Sequence, residues 1–490
     1  MSSTEQIQTN LKNRWLFPLW PFAFSLLFFL LFFFLGFPWP SVDDLFFTGA
    51  SLNLAAGGDY SNPLLARQDF PSHFYFIHPP AYSYVLAGWL KVFGIHTISI
   101  LGFQLLVYLL ICAASILVLR KYQATVLLEL LVPLGVAAAF LDEGLRPEAF
   151  SVALTMSGYA WLLSRRSGGF SLFCGFFLMI LGASVAERIT VFSGALLLSA
   201  ILDLRGRGVR LGTLAWPASL ALLVVCLGLI TMIDYKLNEF WREFHHCAAI
   251  KTWSMVDTVK YFFHDIAGIR WPIVFTGLIF AGLIPWLRNK AAARTVLLLA
   301  CAFVAMVFVG GLGHGAIWYV TLILLLSCAV GFRPVPARRT ILIQSLVAAV
   351  LLFANSRNFI CAAGVLGGKI KPDQGDQAAV ARQIKATPEH PVLIDSSTAR
   401  YVFDYHLTTD FFDFYFSSPF PLTLPTDVPL RPGDTYLVGP ASVNWLDQKT
   451  HFNRVVPVWK PVGKKKTFIE YPRWVYLIHP DDLSGPPGKT

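Results

Sequence analysis

The chain has 490 residues, 55% of them hydrophobic and only 14% charged, with a mean hydropathy of +0.58. A soluble chain carries about a quarter charged residues, so this composition excludes an ordinary soluble protein and points to a membrane. The net charge of +10 does not indicate a nucleic-acid partner, because the basic residues sit in short clusters between apolar runs.

Those clusters are Arg120 with Lys121, Arg165 with Arg166, 205–210, 288–294 and 333–339, and the positive-inside rule reads all five as cytoplasmic loops. Trp15, Trp20, Trp39, Trp241, Trp271, Trp286 and Trp318 lie at the edges of apolar runs, as in an interfacial aromatic belt. The seven cysteines are scattered, mostly within apolar runs and without a CxxC pair. They read as buried, unpaired thiols rather than a disulfide framework.

In chain order, Asn13 and Arg14 precede an apolar run too long for a signal-peptide core, and no small-residue cleavage site follows. The first span (16–37) is therefore expected to be retained, with the N-terminus cytoplasmic. A long external segment (38–95) follows. The second to seventh spans are expected at 98–119, 124–141, 149–164, 170–186, 191–204 and 212–233, leading to a polar, helical loop at 234–269. The eighth to eleventh fall at 271–287, 295–313, 316–332 and 340–355. That makes about eleven spans with an external C-terminus. The segment 79–95, opened by Pro79-Pro80, reads as a helix on the membrane surface, since a crossing there would invert every later basic cluster.

From 357 onward the composition is that of a soluble domain. An exposed helix is predicted at 377–387 and strands at 391–395, 435–438 and 468–478, with Pro and Gly between them. The fold class is therefore an α-helical polytopic membrane protein, residues 1–356, followed by a small external α/β domain, 357–490.

Chemistry is expected on the external face, where the carboxylates next to spans are concentrated. Asp43 and Asp44 follow the first span directly. Ser41 as N-cap with Asp44 three residues on fits a capping box opening a helix from Val42 to Ala56, ended by Gly57-Gly58. Capping accounts for one acid but not two, and an acid pair at a membrane boundary is costly unless it is solvated or used.

The ordered set Asp43-Asp44, Gly57-Gly58-Asp59-Tyr60-Ser61-Asn62-Pro63 and Phe74-Tyr75-Phe76-Ile77-His78-Pro79-Pro80-Ala81-Tyr82 resembles the first external loop of GT-C membrane glycosyltransferases. The similarity is to the superfamily of protein O-mannosyltransferases and lipid A aminoarabinose transferases. Those proteins carry an Asp-Asp or Asp-Glu pair after the first span, a Gly-Asp-aromatic-x-x-Pro element, then a His/Lys-Pro-Pro segment. The aminoarabinose branch has an acid and a Lys before Pro-Pro, where this chain has Ile77-His78, so the donor sugar stays open.

The resemblance implies an inverting glycosyltransferase that moves a sugar from a polyprenyl-phosphate carrier to a lipid, glycan or protein acceptor. It also implies a bacterial inner membrane and a periplasmic site. It places the family's leading acid on Asp43, as base for the acceptor hydroxyl, with Asp44 its neighbour. The leaving phosphate calls for cationic or backbone donors. His78 is a candidate for phosphate or acceptor contact, or else a packing residue at a helix start.

In the second external loop, Leu141-Asp142-Glu143-Gly144-Leu145-Arg146-Pro147-Glu148, Arg146 is the candidate for the carrier phosphate, with Glu148 or Asp142 as orienting acids. The same charges also fit a solvated loop in which Pro147 and Glu148 open the next helix. Arg188, beside Glu187, and His314 within Gly311-Leu312-Gly313-His314-Gly315 are further substrate-binding candidates, with an ion pair and a plain turn as their respective alternatives. No cofactor is demanded; a divalent metal held by Asp43, Asp142 and Glu148 is compatible with the residue types. Lys464–466 reads as a solvated turn or an anionic-lipid contact. Two other classes compete: a lipid or glycan transporter or flippase, against which stand the one-sided polar groups and the lack of a repeat, and an inactive glycan-binding scaffold.

Overall fold

The computed structural model describes residues 19–34, 42–62, 74–76, 78–121, 126–138, 140, 145–164, 168–186 and 189–250, with Leu298, Ala363 and four later strands. Ten helices lie in this set. They are α1 (Leu19–Phe34), α2 (Val42–Ala55), α3 (Ala81–Phe93), α4 (Thr97–Lys121) and α5 (Val126–Ala138). They continue with α6 (Pro147–Ser164), α7 (Gly169–Val185), α8 (Thr190–Gly206), α9 (Leu211–Met232) and α10 (Leu237–Ile250). The first seven expected spans coincide with α1 and α4 to α9; the eighth to eleventh fall outside the described residues, as does the helix expected at 377–387.

Length and composition make Ile98–Lys121 and Leu211–Met232 able to cross a membrane, and α1 and α7 are shorter apolar helices. Surface chemistry separates α9 from the core helix of a soluble protein. Trp216, Leu222, Leu223 and Leu227 are more than half exposed along it, which water would penalise and lipid would not. Cys226 is exposed on the same helix, contrary to the expectation that the thiols are buried; Cys112 is buried and Cys174 intermediate. By contrast α3, at 13 residues, spans about 20 Å, short of the ~30 Å hydrocarbon core.

The centre of the bundle is α6, buried on nearly every side and packed on α4, α7 and α8. Small residues let these helices approach. A Cβ on Gly158 would meet the Gly175 carbonyl oxygen at 2.6 Å and the Met179 amide nitrogen at 2.9 Å. Hydroxyls inside the bundle are matched across helices: Ser151 donates to the Gly182 carbonyl at 2.5 Å, Thr155 and Ser193 pair at 2.7 Å, and Tyr159 and Ser199 at 3.1 Å. The apolar seam between α1 and α4 includes Phe29 against Tyr108, ring centroids 5.1 Å apart.

Helix ends sort into two sets. At one end Arg120 pairs with Glu129 at 3.2 Å, Arg207 pairs with Asp203, and Lys121 lies within electrostatic range of both Asp203 and Arg207. Near this end α8 is closed by Gly208, φ +88, where the Val209 amide reaches back to the Leu204 carbonyl. Four basic residues expected on one side, Arg120, Lys121, Arg205 and Arg207, thus sit together. The opposite end gathers α2, α3, the start of α6 and the junction from α9 to α10.

The four strands β1 (Val392–Ile394), β2 (Thr435–Val438), β3 (Val456–Trp459) and β4 (Val475–Ile478) form a mixed sheet in the order β1-β2-β4-β3. β1 runs parallel to β2, and β4 is antiparallel to β2 and β3. β3 was not expected from the sequence because Pro457 argues against a strand. It lies at the sheet edge with an irregular register at Pro457, the position a proline tolerates.

Candidate functional site

The site grows from the turn that closes α2. Gly57 takes φ +95, a conformation costly for residues with a Cβ. Asn53, one turn back, then ties the turn down: its Nδ2 donates to the Asp59 carbonyl at 3.0 Å and to Ser61 Oγ at 2.9 Å. Ser61 in turn donates to Asp59 Oδ1 at 2.6 Å. Asn62 folds against Gly49, where a Cβ would stand 2.1 Å from Asn62 Oδ1. The Gly-Gly-Asp-Tyr-Ser-Asn element is therefore a knot that sets the path of the first loop.

That path carries Tyr60 beneath the His78 segment. The Tyr60 hydroxyl donates to the His78 carbonyl at 3.0 Å, and its ring lies among Tyr75, Phe76 and Tyr84 at centroid distances of 6.1, 6.2 and 5.7 Å. Burial pushes the Tyr60 phenol well above its usual range; a hydrogen bond with Ser83 lowers it in part, and Tyr84 and Glu243 add to the rise. Tyr84 is raised for the same leading reason, burial, with Asp234 and Asp59 adding to it.

Phe47 joins the two loops. Its ring meets the His78 imidazole at 4.7 Å, and the Arg146 guanidinium lies over it at 5.8 Å. A second link is Tyr82 on α3, whose hydroxyl donates to the carbonyl of Leu145, the residue before Arg146, at 2.5 Å. Arg146 leads into Pro147 and the buried Glu148 in the first turn of α6, where proline is pre-shaped for a helix and an acid is favoured by the helix dipole.

Of the residues expected from sequence, His78 and Arg146 thus meet on one phenylalanine, with Glu148 two residues on. Asp43 and Asp44 lie in the first turn of α2, four and three residues before Phe47, so their backbone positions fall on the helix face Phe47 occupies; their side chains lie outside the described set. Ser41, Asp142, Arg188 and His314 lie outside it altogether, so neither the capping box nor those three roles is described. Among the described residues no group of three His, Cys, Asp or Glu is placed to hold a metal ion.

A third segment closes this end. After α9 the chain turns through Asp234 and Tyr235, both with positive φ, into α10. Tyr84 donates to the Met232 carbonyl at 2.8 Å, Lys236 Nζ sits 3.5 Å above the Phe74 ring, and Phe240 meets Phe76 at 5.7 Å. Within α10 the carboxylate-bearing Glu243 is only 1% exposed. From the sequence, Phe47 and Tyr60 belong to the first-loop stretch that carries the resemblance but have no role of their own, and Glu243 has none at all. A helical wheel over 237–250 carries a signal for the last, since Glu243 shares a face with Phe240 and Phe244.

Among solved structures the chain matches ArnT from Cupriavidus metallidurans, crystallised with undecaprenyl phosphate. The match covers 99% of this chain and 100% of that one, at TM-score 0.52 and 13% sequence identity. The chain has the GT-C fold of ArnT. At that identity the likeness is one of fold, and it agrees with the resemblance carried by the first-loop motifs. No family model matches the chain, and no curated protein sequence matches it. In this GT-C fold the described helices place a histidine, an arginine and a buried acid at one end of the bundle. That set has the chemistry to hold a phosphate and orient a hydroxyl nucleophile beside it.

Proposed function

We propose that the protein is an inverting glycosyltransferase that takes a sugar from a polyprenyl-phosphate carrier and passes it to a lipid, glycan or protein acceptor. It acts from a bacterial inner membrane, on the periplasmic side. The observation that carries this reading is the meeting of His78 and Arg146 on Phe47, one turn below Asp43 and Asp44, in a fold shared with a protein crystallised with undecaprenyl phosphate.

In this mechanism Asp43 accepts the proton of the acceptor hydroxyl, with Asp44 beside it. The acceptor oxygen then bonds to the anomeric carbon as the bond to the carrier phosphate breaks, inverting that centre without a covalent enzyme intermediate. Arg146 and His78 take up the charge released on the phosphate, and Glu148 orients Arg146. Asp142, Arg188 and His314 are assigned to the substrate surroundings, and a divalent metal remains an addition to be tested by chelation. The 357–490 domain, an α/β unit on the same side, covers the site or holds the acceptor.

The test is release of polyprenyl phosphate from lipid-linked sugars by purified protein. Turnover by the wild type that is lost in Asp43→Asn supports the transferase. Movement of the lipid across vesicles without bond cleavage supports a flippase instead. Binding that is indifferent to Asp43→Asn, with no turnover, supports a scaffold.

A further inference from the structure

We propose that Asn53 is a positioning residue of this site. From the end of α2 it clamps the turn that carries Tyr60, and Tyr60 in turn sets the His78 backbone and holds the His78 ring on Phe47. The proposal rests on the reading of His78 as a donor-site contact.

The Asn53 side chain is not needed to end α2, because the backbone does so itself. The amides of Ala56, Gly57 and Gly58 bond back to the carbonyls of Leu52, Leu54 and Asn53 at 2.9, 3.2 and 2.9 Å, with Gly57 in the left-handed region. The buried Asn53 side chain reaches forward instead. Its Nδ2 donates to the Asp59 carbonyl at 3.0 Å, to Asp59 Oδ1 at 3.3 Å and to Ser61 Oγ at 2.9 Å, on either side of Tyr60. Gly58 makes room for it, since a Cβ there would stand 2.4 Å from Asn53 Oδ1.

Tyr60, held on both flanks, bonds twice to the His78 segment. Its carbonyl accepts the Tyr75 amide at 2.8 Å, and its hydroxyl donates to the His78 carbonyl at 3.0 Å. Pro79 and Pro80 have no amide hydrogen, and the Tyr84 amide bonds to the Pro80 carbonyl as α3 begins, so a side chain serves the His78 carbonyl. The His78 imidazole packs on Phe47 at 4.7 Å, on the same helix as Asn53. The path closes on itself. One helix carries Asp43, Asp44 and Phe47 and, through Asn53 and Tyr60, holds the histidine that packs against it. A slackened 58–61 turn therefore shifts His78 relative to the two acids.

The experiment compares purified full-length wild type with Asn53→Ala, Tyr60→Phe, Gly58→Ala and the doubles that pair Asn53→Ala with each of the others. Readouts are hydrogen–deuterium exchange over 74–84, thermal melting in detergent, and KM and kcat for a polyprenyl-phosphate sugar. Expected in Asn53→Ala and Tyr60→Phe are faster exchange over 74–84 and a donor KM raised about tenfold, with a smaller change in kcat. Their double is expected to lose no more than the larger single, since both cut one tie. Gly58→Ala is expected to raise KM alone but to add nothing to Asn53→Ala, where the side chain it strikes is gone. Wild-type exchange and KM in Asn53→Ala would overturn the proposal, as would KM losses that multiply in the doubles or a lowered melting point with unchanged KM. If Asn53→Ala does not fold, Tyr60→Phe, Gly58→Ala and their double carry the same comparison with the Asn53 amide intact. If the wild type neither binds nor turns over lipid-linked sugars, the transferase reading fails while the exchange measurement still decides the role of Asn53.

Discussion

Replacing Tyr82 by Phe removes one oxygen and tests whether the two loops act as one site. The ring is 2% exposed and packs on Phe103 and Phe150 at 6.2 and 6.1 Å, contacts that Phe retains. What is lost is the hydroxyl's 2.5 Å bond to the buried Leu145 carbonyl, the tie between α3 and the residue before Arg146. Removing a donor from a buried carbonyl costs about 1–3 kcal/mol. If that cost falls on the arrangement in which Arg146 is aligned, affinity for the carrier phosphate drops roughly five- to hundredfold, since 1.4 kcal/mol is a factor of ten. The assay is equilibrium binding of undecaprenyl phosphate to wild type and Tyr82→Phe in the same detergent, with melting recorded for both. The expected result is weaker binding together with faster amide exchange across 145–150. Binding within twofold of wild type and unchanged exchange would show that the Tyr82 tie does not position Arg146.

Other perturbations follow from the same geometry. Phe47→Leu keeps an apolar side chain but removes the ring shared by His78 and Arg146; with a cation–π contact worth about 0.5–2 kcal/mol, donor affinity falls roughly two- to thirtyfold, read by the same binding assay. Gly158→Ala drives a methyl to 2.6 Å from the Gly175 carbonyl oxygen, a backbone clash that costs about 1–3 kcal/mol and lowers the melting temperature. Burial raises the Tyr60 phenol above its ordinary pKa of 10.0, so the folded state keeps a proton that the unfolded chain loses above that pH. Stability from this group is full below pH 10 and then falls by about 1.4 kcal/mol per pH unit. Melting from pH 8 to 11 should therefore show a shallower alkaline decline in Tyr60→Phe, with Tyr84 supplying part of what remains.

The helices were legible in the sequence because a spanning segment is defined by its own composition. The runs that became α1 and α4 to α9 are long, apolar and bounded by charge, and Gly57 with Gly208 mark ends by a backbone need that is local. α3 was legible as a helix from Pro79-Pro80 and the apolar stretch that follows them. In the candidate site, the first-loop motif gave Asp43 and His78 their places in the chain and the second external loop gave Arg146, but not the means by which loops distant in sequence meet. Phe47 and Tyr82 are ordinary core aromatics until the Arg146 guanidinium and the Leu145 carbonyl lie against them. Glu243 lies in a stretch that the sequence marks only as polar and helical, since its burial comes with the docking of α10, in which Phe240 meets Phe76. β3 was missed for a similar reason, since an edge position that tolerates Pro457 exists only once the sheet is assembled.

The account's central claim is that the first loop, the start of α6 and α10 build one site on the outer face of the membrane. Single cysteines at the exposed positions Ala56, Arg242 and Gly168, in a cysteine-depleted background, test it directly with a membrane-impermeant thiol reagent on intact cells. The account predicts labelling at 56 and 242 and none at 168 until the cells are opened. Labelling at 168 with 56 and 242 dark would put the site on the cytoplasmic face, and labelling at only one of 56 and 242 would contradict the shared site itself.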